Sequence, residues 1–434
     1  MQRRRAGAGK SEGTSARRAP CVWWWRRRDS CCDSLPLFRG HARNRFGTAR
    51  SASTAALDII VDVPLPPFAL KFTHPGKTSD SSMDPILVEV LRGAHVESRH
   101  AGALAVLDAD GGVLAAIGDI DRPVFPRSAV KVLQALPLVA SGAAEHLQLG
   151  DPELALACAS HGGEALHAST AAAMIARAGL DSDCLECGTH WPYNEAAARE
   201  LAALGRQPTA LHNNCSGKHA GFVCLACHLA GPGADPRQVV TGYVQHDHPA
   251  MREVTAALEA ATGAPLASAP CGIDGCSIPA YAIPLRGLAL AFARVGTGVG
   301  LSPGHARAAL RLRQAVAREP FMVAGSARMD TRVMERLGER VFMKVGAEGM
   351  YCAALPERGL GVAIKIADGN NARAAEVVVA AVIEACLALD DGDAQFMRGF
   401  SDCTLRNWNA IAVGSLCATD ALRLALADAI GSPA

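Results

Sequence analysis

Hydrophobic patterning along this 434-residue chain constrains its fold more than any single motif does. Short strand-like runs occur toward both ends. The stretch from about 150 to 265 is instead Ala/Leu-rich and helical in period, broken by polar loops at 159–164, 187–194 and 211–219. A strand needs a partner and a covered face, so runs from the two ends must meet in one sheet while the middle packs beside it. The expected fold class is α/β of the α+β kind: an antiparallel sheet flanked by helices, with an α-helical half.

Within that frame, 103–107 and 113–117 are apolar runs around Asp108-Ala109-Asp110-Gly111-Gly112, whose residues tolerate positive φ, and they read as a hairpin. Pro123 and Pro126 precede a helix predicted over 128–141 and kinked at Pro137. Strands are expected at 281–285, 288–293, 341–345, 351–355 and 361–366, and helices at 304–317, 371–389 and 419–429. This gives one catalytic unit over 83–390, with the helical insertion at about 150–265. Residues 391–434 are expected as a C-terminal extension packed on it.

Residues 1–50 hold 13 of the 43 basic residues and 3 of the 42 acidic ones, a local charge of +10, which leaves −9 for the rest. An acidic body argues against nucleic acid as a partner. Residues 1–82 show no sustained period and read as a disordered or mis-assigned leader, with Met83 as the start of patterned sequence. Their Arg-rich composition also fits a targeting segment or basic arm. No run of about 18 apolar residues and no secretory signal is visible, so the expectation is a cytoplasmic protein with no membrane partner. In that setting most of the 15 cysteines are expected as buried thiols.

Ser128 and Lys131 lie three apart at the start of a predicted helix, so their side chains share a face. A serine hydroxyl needs a base to take its proton, and an amine is such a base once burial or a second cation lowers its pKa. S-x-x-K alone is weak, because a surface serine and lysine share this spacing. Ser160 in Ala159-Ser160-His161-Gly162-Gly163 and Lys344 in Lys344-Val345-Gly346 strengthen it. A helix S-x-x-K, a loop serine and a strand K-x-G follow in the order seen in penicillin-recognising serine enzymes.

A second constellation is Asn214-Cys215-Ser216-Gly217-Lys218-His219, followed by Cys271-Gly272-Ile273-Asp274-Gly275-Cys276. A glycine-containing turn entering a helix offers free N–H groups to an anion, and Asp274 could receive a substrate ammonium. Cys184-x-x-Cys187 with Cys224-x-x-Cys227 could be drawn as a four-thiolate zinc site. However, Cys224 and Cys227 fall in an apolar helix, where cysteine behaves as a small hydrophobe. His246-Asp247-His248 lacks a third ligand.

Taken together, these segments resemble the asparaginase family named after a rhizobial enzyme, the third structural class of L-asparaginases. The likeness spans about 84–390. It is carried by Val96-Glu97-Ser98-Arg99-His100, Arg127-Ser128-Ala129-Val130-Lys131, Ala159-Ser160-His161, Asn214-Cys215-Ser216-Gly217-Lys218-His219, His248-Pro249, Asp274-Gly275-Cys276, Met322-Val323-Ala324-Gly325, Lys344-Val345-Gly346-Ala347 and Lys365-Ile366-Ala367-Asp368-Gly369-Asn370. The resemblance implies a serine β-lactamase/glutaminase-like fold and an L-asparaginase with a Ser-Lys acyl-enzyme mechanism. It implies two tandems, Ser128 with Lys131 and Ser160 with Lys344. It also implies substrate binding by Arg127, His219 and Asp274, and a homodimer. Zinc on Cys215, Lys218 and Cys276 is implied too, without being required for the nucleophilic step. Two departures stand out. Gly325-Ser326-Ala327-Arg328 lacks the acidic residue of the relatives' Gly-Glu-Gly-Arg, and Gly162 stands where serine is frequent. The rival expectations are a serine hydrolase of related fold acting on glutamine or a β-lactam, and a non-catalytic zinc-binding protein.

Overall fold

The computed structural model describes residues 84–431, and the leader expected over 1–82 lies outside them. Eight strands form one antiparallel sheet. Its order runs Asp402–Arg406, Ala412–Ala418, Ile86–Arg92, His95–Asp108, Leu360–Ile366, Met350–Leu355, Phe342–Val345. The expected hairpin is present, with Val113–Ile117 paired to the second half of His95–Asp108. That 14-residue strand joins two regions: His100 pairs with Val88 on one side, and Ala103 to Leu107 pair with Leu360–Ile366 on the other.

Every residue of Met350–Leu355 and Phe342–Val345 is buried. Side chains alternate between the faces of a strand, so full burial means that both faces are covered. The helices Leu285–Thr297 and Glu376–Cys386 both pack on Met350–Leu355 and supply that cover. The helical half gathers around Lys131–Ala140, which contacts Ser216–Ala230, Pro249–Thr262 and Pro303–Arg318 and is itself almost wholly buried. This helix runs through Pro137, and the Pro137 carbonyl still accepts from the Ser141 N–H.

The structure differs from the sequence expectations most in two places, and the strand expected at 281–285 ends where Leu285 opens a helix. Residues 288–293 are helical, not a strand, because Leu285, Leu288, Ala289, Phe292 and Val295 recur with a helical period and form one buried stripe. The C-terminal segment is more than one helix beside the domain. Asp391–Ser401 is helical, and Asp402–Arg406 and Ala412–Ala418 pair into the sheet before the final helix Asp420–Ile430. The hairpin between those strands lacks a glycine in its turn. Asn407 Oδ1 accepts from the N–H groups of Asn409 and Ile411, and Ala410 takes φ +61°.

No helix among the described residues is long and apolar enough to cross a membrane.

Candidate active site

Pro126 ends an extended segment, and Arg127 turns the chain through a left-handed conformation at φ +52°. Such a backbone is disfavoured for a side chain with a Cβ and is commonly found at functional sites. A 3-10 turn over Arg127–Val130 then leads into the α-helix at Lys131. This entry sets Ser128 on the wall of a cavity of about 430 Å³, together with Ser160, Cys215 and Asp274. Arg127 Nε donates to Asp274 Oδ1 at 2.8 Å. Burial works against ionisation of Asp274, but Lys218 and Arg127 outweigh it and hold the carboxyl below its ordinary range.

Lys131 is the hub of the site. Its fully buried Nζ donates to Ala159 O at 2.5 Å, Ser160 Oγ at 2.9 Å and Cys215 Sγ at 3.1 Å. Ser128 Oγ has no hydrogen-bond partner among the described residues. Lys131 therefore pairs with Ser160 rather than with the serine one turn before it. Three structural elements set this geometry. The helix Asp151–Ala157 delivers Ser160 at its end. Asn213 Oδ1 accepts from the Cys215 N–H at 2.8 Å. Ser216–Ala230 is pressed so closely on Leu156 that a Cβ at Gly217 would lie 2.3 Å from Leu156 Cγ. Burial pushes the Lys131 amine down, and Lys218 adds to this against the opposing pull of Cys215.

Lys218 Nζ donates to Cys276 Sγ at 3.0 Å. Cys276 Sγ lies beside Cys215 Sγ. The Cys276 S–H bond to Cys215 is the largest effect on both, so Cys215 lies well below the usual thiol range and Cys276 well above it. Lys218 is raised, since the sulfurs beside it outweigh its burial. Cys215, Lys218 and Cys276 thus converge, with Lys218 bonded to Cys276 and Cys276 facing Cys215. Zn²⁺ takes thiolate sulfur at about 2.3 Å and nitrogen at about 2.0 Å, so these groups would bind it once the metal displaced the protons on Lys218 Nζ and Cys276 Sγ. The donor chemistry fits the metal that the resemblance implies.

The other metal readings do not hold. Burial raises Cys187 and Cys224 to about 12 and Cys184 to about 11, which makes the thiolate costly to form. Cys187 and Cys224 also donate to the carbonyls of Ala210 and Met174. His248 caps the helix Pro249–Thr262 through Nδ1 and bonds Val239 O through Nε2. Among the described residues no three His, Cys, Asp or Glu side chains are placed to share an ion.

Lys344 lies on a strand behind the cavity, and its Nζ donates to Val345 O at 2.7 Å rather than to Ser160. Burial lowers its pKa to about 7, against the pull of Asp330. Sequence reasoning missed Asp330, which is fully buried and accepts from the Val345 N–H at 2.9 Å and from Tyr351 Oη at 2.7 Å. It also missed Glu376, which burial raises to about 8. His219 does not line the cavity. Its Nδ1 meets Tyr243 Oη at 2.6 Å, and that oxygen accepts from the Glu186 N–H. His219 Nε2 is buried and has no partner among the described residues. The mouth of the cavity carries His190 and the exposed Tyr193, stacked at 4.5 Å between ring centroids.

A family model described as L-asparaginase II matches residues 88–418. No curated protein matches the chain.

Proposed function

This chain belongs to the L-asparaginase II family and is a hydrolase of the asparaginase type acting on amides, and from that premise we propose that it converts L-asparagine to L-aspartate and ammonia through a serine acyl-enzyme. The observation that carries this reading is the fully buried Lys131 amine in contact with Ser160 on a cavity that Ser128 also lines.

Ser128 Oγ attacks the side-chain amide carbon, and its proton passes to neutral Lys131. The Ser128 N–H, at the free end of the helical segment, faces the developing oxyanion. The C–N bond breaks as the leaving nitrogen takes a proton relayed through Ser160, with Lys344 as the second amine. Water then attacks the Ser128 ester and gives a proton to Lys131, which passes it to the departing Ser128 oxygen. Asp274 receives the substrate ammonium. Apo hydrogen bonds at such sites are often loose, so the absence of a Ser128–Lys131 bond is compatible with these roles.

A second assignment, with Ser160 as the nucleophile, is favoured by the 2.9 Å Lys131–Ser160 bond. Ser128→Ala should lower ammonia release from asparagine by about 10³-fold or more. Mass spectrometry of peptides from the acid-quenched acyl-enzyme identifies the modified serine, and an acyl group on Ser160 would reverse the two roles. Equal turnover of glutamine or a β-lactam would remove asparagine as the preferred substrate.

Zinc would be held by Cys215, Lys218 and Cys276, where a bound cation supplies fixed positive charge beside the substrate. Metal analysis of the purified chain checks this part, and sedimentation checks the homodimer that the resemblance implies.

A further inference from the structure

We propose that Arg328 is the anchor for the α-carboxylate of the substrate, and that a clasp between Glu164 and Ser326 holds it against the cavity. The inference rests on the reading of this cavity as the amide site. Two arginines from the 127 and 328 turns reach the cavity wall. Arg127 is tied to Asp274 at 2.8 Å. Arg328 is half-buried, and its guanidinium makes no hydrogen bond or ion pair among the described residues.

None of the nearby carboxyl groups bonds its guanidinium. Asp330 is committed to the Val345 N–H and the Tyr351 hydroxyl. Glu376, which burial raises to about 8, is largely neutral at pH 7. A partly desolvated guanidinium without a hydrogen-bonded partner is unfavourable unless a ligand supplies one, and its planar fork matches a carboxylate.

The turn that carries Arg328 is held rigid. Ser326 donates its N–H to Glu164 Oε1 at 2.8 Å and its hydroxyl to Glu164 Oε2 at 2.6 Å. Glu164 comes so near that a Cβ on Gly325, at φ +93°, would lie 2.4 Å from Oε1. Thr331 Oγ1 donates to Gly325 O at 2.8 Å from the other side. Ala327 is kept at φ +62°, immediately before Arg328. Glu164 thus holds this turn from across the fold and acts as a positioning residue.

The test compares L-asparagine with β-alaninamide, which is asparagine without its α-carboxylate, on the full chain. Arg328→Gln should lower kcat/KM for asparagine by about tenfold or more, mainly through KM, and leave β-alaninamide within about twofold. Arg328→Lys should recover part of the loss. Glu164→Gln should show the same substrate-selective loss at smaller size. Equal losses on both substrates, or none, overturn the anchor. Calorimetric binding of L-aspartate gives a readout that needs no turnover. If the parent binds aspartate and Arg328→Gln does not, the anchor stands even where asparagine is not hydrolysed and the amidase reading fails. If Arg328→Gln binds aspartate as the parent does, or the parent neither binds aspartate nor turns over asparagine, the anchor falls.

Discussion

Lys131 and Lys344 are both fully buried amines on the same site, but they sit in different company. Lys131 rises from a helix into three acceptors, one of them a thiol. Lys344 rises from a strand and reaches only its neighbour's carbonyl, with the Asp330 carboxylate close by but bonded elsewhere. Burial lowers both, so burial does not distinguish them. The difference lies in what each amine can exchange a proton with. Lys131 touches a serine hydroxyl directly, whereas Lys344 touches none.

Removing each amine tests that contrast most strongly. Lys131→Met should abolish ammonia release to about 10³-fold or more below the parent, since it deletes the base and the link between Ser160 and Cys215 together. A residual rate within about tenfold would show that the hub is only structural. Lys344→Met should cost less, about 10²-fold, and should also change the pH profile. With its pKa lowered to about 7, Lys344 is protonated below that pH and neutral above it, so activity that needs the neutral amine rises with pH through about 7. The variant should lack that limb, and an unchanged limb would assign it to another group. The smallest effect is expected from Tyr351→Phe, which leaves one oxygen of buried Asp330 without its donor. We expect a loss of about 1–2 kcal/mol in denaturant unfolding. The Lys344 limb should move upward, because Asp330 becomes the stronger counter-charge. A stability loss with no movement would separate Asp330 from the amine.

Parts of this site were legible because they are local. Ser128 and Lys131 are three apart on one turn, and Cys215 and Lys218 repeat that spacing at the next helix entry. The hairpin at 108–113 was legible from turn chemistry. The rest depends on partners far along the chain. Lys131 meets Cys215 across 84 positions, so its preference for Ser160 over Ser128 has no sequence signature. Asp330 looks like an ordinary acid in the first turn of Met329–Leu337, and only the fold brings Tyr351 to it from 21 positions away. Glu164 and Ser326 are 162 apart. The C-terminal strands escaped notice because few of their residues are buried, so their alternation is weak.

The pairing of Ile86–Arg92 with Ala412–Ala418 also bears on how the protein is made. Thr419 bonds the carbonyl of Ile86 across 333 positions, so the first strand leaves the ribosome long before its outer neighbour exists. Until then one of its edges is an open template for strands of other chains. Long-range pairing of this kind slows folding and lengthens that exposure. The last strands thus act as a closing seal on a sheet that translation begins and finishes at the same edge.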